Sequence, residues 1–116
     1  MAASVAVNSA GTIQVIWYDR RDGPANMSIA VYGTTSNDGG KSFSANLSIT
    51  GIAFSPAVGY DPVLNPTYMG DYIDIKPGLT NAGLTATFNM AWGDFRRVVM
   101  TPQGTRHDQD VFFRSN

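Results

Sequence analysis

The sequence predicts an all-β protein, and three observations carry that expectation. Apolar and polar residues alternate with a period of two along most of the chain. The best helix formers are scarce, with no Glu, two Lys and little Leu. Gly, Asn and Ser cluster between the alternating runs, where tight turns need them.

Taken in order, Val5–Val7 is a short first strand, and Asn8-Ser9-Ala10-Gly11 is a hairpin turn. Thr12 to Trp17 alternates with Ile13, Val15 and Trp17 expected inward. Met27–Tyr32 follows as a third strand. From Phe43 to Thr50 the alternation is unbroken: Phe43, Ala45, Leu47 and Ile49 share one face, and Ser44, Asn46, Ser48 and Thr50 the other. That pattern belongs to a half-buried antiparallel strand. Residues 51–70 are proline-rich and read as a long ordered loop, a kind that is often functional. Tyr72–Ile75 is a fifth strand. Asn81-Ala82-Gly83 turns the chain into Thr85 to Trp92, with Ala86, Phe88, Met90 and Trp92 on one face. Val111–Arg114 closes a set of seven strands, and no segment reads as a helix.

Composition excludes several functions. A length of 116 residues is that of one domain. A net charge of −1 offers nucleic acid no electrostatic footing. Without Cys there is no disulfide, no thiolate chemistry and no cysteine-held zinc. No apolar run is long enough for a membrane span. The Met-Ala-Ala-Ser start has no basic n-region, so no secretory signal is read. Localisation stays open, since the mature part of an exported protein would look the same. No cofactor and no metal is implied. His107-Asp108-Gln109-Asp110 reads as a solvated loop, and His107, the one His, has no Gly-x-Ser-x-Gly serine to serve.

The chain repeats itself once. Ile13-Gln14-Val15-Ile16-Trp17-Tyr18-Asp19-Arg20 is matched by Phe88-Asn89-Met90-Ala91-Trp92-Gly93-Asp94-Phe95-Arg96. Both are strands that end in Trp-x-Asp with Arg following, and each copy reaches a later Ser-Asn. The first Ser-Asn opens Ser36-Asn37-Asp38-Gly39-Gly40-Lys41-Ser42-Phe43. Gly40-Lys41-Ser42 looks like the tail of a phosphate-binding loop. Thr35 stands where that loop needs its first Gly, and a strand is expected where it needs a helix.

Residues 36–43 resemble the Asp box, Ser-x-Asp-x-Gly-x-Thr/Ser-aromatic, of sialidase-like β-propellers (the BNR repeat). The Trp-x-Asp-Arg segments and Met69-Gly70-Asp71-Tyr72-Ile73-Asp74-Ile75 add to the likeness. The resemblance implies four-stranded meander blades, about one and three-quarters of them. Residues 1–50 would be the first blade, 51–70 a long loop and 71–116 an incomplete second blade. Two blades cannot close a propeller, so either a homo-oligomer such as a trimer or a rearranged sandwich or barrel is expected. An unpaired Phe112/Phe113 strand at the C-terminus is where a partner contact is expected.

In such a fold Ser36, Asp38, Gly40, Ser42 and Phe43 form a structural turn, opposite the functional end. That end would gather Asp19, Arg20, Arg21, Asp94, Arg96 and Arg97 as glycan ligands. Tyr68, Asp22, His107 and Asp108 lie at the same end. Asp19, Asp94, Asp71 and Tyr72 are the catalytic candidates. Asp and Arg side chains beside aromatic faces suit sugars, and Arg suits the carboxylate of acidic ones. Sialidase chemistry also pairs its Tyr nucleophile with Glu, and this chain has no Glu. The expected function is therefore a non-catalytic carbohydrate-binding or scaffold module. The alternative is part of a glycoside hydrolase whose site is completed by other copies or other blades.

Overall fold

The computed structural model describes residues 2–55, 72–108 and 110–116. It is all-β, with antiparallel sheets and one 3-10 turn at Pro24–Asn26. The first sheet is a meander of β1 (Ala3–Val7), β2 (Ile13–Asp19), β3 (Ala30–Ser36) and β4 (Leu47–Ser48). The second contains β5 (Ile73–Thr80), β6 (Gly83–Asp94) and β9 (Asp110–Ser115) in that spatial order. A separate hairpin, β7 (Val98–Thr101) and β8 (Gly104–His107), is inserted between β6 and β9. None of these sheets closes into a barrel.

The repeat extends to the register. Ala3 pairs with Trp17 and Trp17 with Tyr32. In the second sheet Ile73 pairs with Trp92 and Trp92 with Phe112. Thus β1, β2 and β3 correspond to β5, β6 and β9, residue for residue around the tryptophans.

Each sheet has a front, carrying its Trp, and a back. The back of the first sheet packs on the front of the second. Ile16, Tyr18 and Val31 meet Ile75, Phe88, Met90 and Trp92 in one buried cluster. Burying those side chains supplies the main force joining the sheets. Polar contacts set their alignment. The Tyr18 hydroxyl reaches across to the carbonyls of Tyr72 and Gly93 (3.1 Å each) and accepts the Gly93 N–H at 2.9 Å. At the opposite end Asn8 shapes the first turn. Its Oδ1 accepts the N–H groups of Ala10 and Thr12 at 3.0 Å, while its Nδ2 donates to Ala86 O in the second sheet at 2.6 Å.

Several sequence expectations are corrected here. On β2 it is Gln14, Ile16 and Tyr18 that are buried, while Ile13, Val15 and Trp17 are half-buried. The strand is apolar on both faces, so packing rather than alternation decides which side is covered. The strand expected at Phe43–Thr50 shrinks to Leu47–Ser48, and Phe43 is 49% exposed. It is an edge strand, and around Ser44 one backbone bond to Thr35 O at 2.9 Å and side-chain contacts with Thr34 and Thr35 stand in place of a regular ladder. The third strand runs later than Met27–Tyr32, at Ala30–Ser36. Ala86 is exposed, whereas Phe88, Met90 and Trp92 are buried as expected. The Phe112/Phe113 strand, expected unpaired, pairs with β6 along one edge and is an outer strand of its sheet.

Candidate functional site

The ends of β2 and β6 carry the same constellation. In the first copy Asp19 Oδ1 accepts the Arg21 N–H at 2.9 Å, turning the chain out of the strand. Its Oδ2 accepts the Trp17 indole N–H at 2.9 Å and the Arg21 guanidinium at 2.6 Å. In the second copy Asp94 Oδ1 accepts the Arg96 N–H at 2.9 Å. Its Oδ2 accepts the Trp92 indole at 3.1 Å and two guanidinium nitrogens at 2.9 and 2.5 Å. Each Arg then lies over the aromatic ring of the next strand, Arg21 on Tyr32 and Arg96 on Phe112, both at 4.5 Å. Each Trp sits 6.5 Å from that same ring.

The shared unit is therefore Trp-x-Asp-x-Arg plus a cross-strand aromatic. The counterpart of Arg96 is Arg21, not Arg20. The spacing carried that signal: Arg stands two residues after Asp in both copies.

Burial separates the copies. Asp94 is wholly buried and the Arg96 side chain is 25% exposed, whereas the Asp19 and Arg21 side chains are 15% and 45% exposed. The Arg21 guanidinium, donating to Asp19, holds that carboxyl far below the usual carboxylate range, against an opposing push from partial burial. The same contact raises Arg21. Asp22 accepts the Tyr32 hydroxyl at 2.8 and 2.7 Å and raises its pKa.

These carboxylates have both oxygens occupied by donors. Asp19 stays ionised and has no proton to deliver, and proton transfer to a leaving group needs one. Asp94 has no exposed surface through which to meet a substrate. The arrangement clamps strand ends and leaves little freedom for acid–base work.

The remaining candidates lie around this end. Arg20 is exposed and has no side-chain partner among the described residues. Arg97 pairs with Asp110 at 2.8 Å, and Arg106 with Asp108 at 3.6 Å. His107 Nδ1 lies 2.7 Å from Phe95 O, so that nitrogen carries the proton. Tyr72 is 86% exposed. Asp71 and Tyr68 lie outside the described residues. Among the described residues no three His or Asp side chains form a metal-holding group.

At the opposite end, Asp38 organises its turn. It accepts the Ser42 N–H at 2.9 Å, the Ser42 hydroxyl at 2.5 Å and the Ser36 hydroxyl at 2.8 Å. Gly40 adopts φ 87° and donates its N–H to Ser36 Oγ at 3.0 Å. The Ser42 hydroxyl is the main reason the Asp38 pKa falls from 3.8 to about 2. A lowered carboxylate pKa stabilises the fold above its unfolded value, and that stability goes as pH falls through the folded value. Thermal melts of the wild type and Asp38→Asn should therefore differ at neutral pH and converge as pH drops from 3.8 toward about 2. A gap independent of pH over that window would refute the role of the Asp38 charge.

Sequence reading passed over Gln14. It is 4% exposed, and its Oε1 has no hydrogen-bond partner. It lines a cleft of about 190 Å³ with Thr34, Ser48 and Arg114, away from the Trp-x-Asp end. Arg114 Nη1 in that cleft donates to Ile49 O at 2.7 Å.

No family model, no curated protein and no solved structure matches this chain.

Proposed function

We propose that this chain is a piece of a sialidase-like, Asp-box β-propeller that acts as a non-catalytic module, a scaffold with a carbohydrate-contacting end. One observation carries the non-catalytic part: both oxygens of each Trp-x-Asp carboxylate are engaged, Oδ1 by a backbone N–H and Oδ2 by indole and guanidinium donors. The hydrogen bonding of Asp38 supports reading residues 36–43 as an Asp box, and the matched registers of the two sheets support reading them as blades. The glycan-facing groups would be those left open at the Trp-x-Asp end, Arg20 and Tyr72. An exposed guanidinium offers a sugar a bidentate donor, and an exposed ring offers it a stacking face.

Two measurements on the same protein test this. On a glycan array the wild type should retain sugars, and Arg20→Ala or Tyr72→Ala should weaken retention about tenfold, equivalent to about 1.4 kcal/mol. On fluorogenic glycosides, sialosides included, it should show no turnover. Hydrolysis abolished by Asp19→Asn in folded protein would overturn the non-catalytic reading and favour a glycoside hydrolase part. Absence of all glycan retention would leave the scaffold role alone.

A further inference from the structure

The two sheets use one interface once and present both of its halves again, unused. Within the chain, the front of the second sheet is buried on the back of the first. Ile75 is 1% exposed and Met90 0% on one side, and Val31 and Ile16 are 0% exposed on the other. The repeat assigns each a counterpart through the register. Val5 stands on β1 where Ile75 stands on β5, since Val5 pairs with Val15 as Ile75 pairs with Met90. Val111 stands on β9 where Val31 stands on β3, since Tyr18 pairs with Val31 as Gly93 pairs with Val111. Val5 is 60% exposed and Val111 is 74% exposed. Val7 on the same front and Phe113 on the same back are 49% and 66% exposed.

The bare front of the first sheet thus repeats the side that is buried, and the bare back of the second repeats the side that buries it. Their relief is also compatible. On the bare back, Ala91 and Gly93 replace Ile16 and Tyr18, which leaves the middle of β6 low beside Phe113. On the bare front, Trp17 and Tyr32 stand as a half-buried aromatic pair 6.5 Å apart. Apolar sheet faces of this kind are seldom left to water.

We infer that the front of the first sheet docks a second copy of this chain through the back of that copy's second sheet, head to tail. The contact is heterologous, so each copy keeps one face for the next, and the series ends where the rotation between copies closes a ring and runs on as a filament where it does not. The inference concerns assembly and goes beyond glycan contact, so either can fail without the other.

The test is solution mass by light scattering over a concentration series, on the wild type, Val5→Arg and Phe113→Arg. Both positions are exposed and outside the intrachain core, and circular dichroism checks folding. Should either variant unfold, Val7→Arg or Val111→Arg replaces it on the same face. The wild type should exceed the 12.5 kDa of one chain, and each variant alone should fall to it. An equimolar mixture of the two variants should recover a dimer and stop there, because each retains one intact face and the two intact faces are complementary. A wild type that stays monomeric overturns the inference. So does an oligomer lost in only one variant, which is the result for a two-fold contact through a single face, or one lost in neither.

Discussion

Asp94→Ala should lower folding stability by about 3–5 kcal/mol, read as a large fall in the urea midpoint. The carboxylate is fully buried and accepts from the Trp92 indole, the Arg96 N–H and two nitrogens of the Arg96 guanidinium. Truncation leaves those donors facing a cavity, and an unpaired guanidinium is the most expensive of them. Asp19→Ala removes the same bonds in the first copy, but the Arg21 side chain is 45% exposed and water takes them over. That substitution should cost only about 1 kcal/mol. Asp94→Asn, which keeps the shape and one acceptor, should fall between them. Equal midpoints for Asp19→Ala and Asp94→Ala would show that burial does not separate the two clamps.

Phe95→Ala should cost a similar amount, about 3–5 kcal/mol, for a different reason. Phe95 follows β6 in a connecting segment, yet it is the largest fully buried side chain among the described residues. Its ring lies 6.3 Å from that of Phe54, which is tied to Ile29 by paired backbone bonds of 2.8 Å. Emptying that space leaves a cavity under the turns at the Trp-x-Asp end. Phe95→Leu should restore more than half of the loss. The control is Phe113→Ala at 66% exposure, expected within about 0.5 kcal/mol of wild type if the protein is monomeric under the conditions used. A Phe95→Ala effect no larger than that control would contradict the packing described.

The β class and the repeat were legible because alternation and turn chemistry act locally. The Asn8 and Asp38 turns were legible for the same reason, since their partners lie within four residues. What the pattern left open was tertiary. On β2 both Ile13-Val15-Trp17 and Ile16-Tyr18 are apolar series, and only the second sheet decides which is buried. Phe43 stands in a strong alternation, but at the edge there is no neighbour to bury it. Phe95 has no periodic context, so nothing local marks it as core.

The β7–β8 hairpin escaped because its strands are short and largely exposed; the Pro102-Gln103-Gly104 turn, with Gly104 at φ 115°, was its one local mark. At the candidate site the Trp and Asp positions were readable and the matching Arg was misread by one residue. Adjacent arginines Arg20 and Arg21 look alike when each is read alone; the shared two-residue spacing from Asp picks out Arg21, and its bonds to Asp19 and its place over the Tyr32 ring agree.

Asp19 is held ionised by Arg21 as a clamp on the end of β2, which leaves it no proton to donate. The side-chain carboxyl carbon of Asp19, followed by NMR as pH is lowered, tests it most directly. No inflection is expected at the ordinary value of 3.8, and the group should stay ionised well below it for as long as the protein stays folded. An inflection at or above 3.8 would contradict it, because the carboxyl would then release and take up its proton as a free, catalytically available acid does.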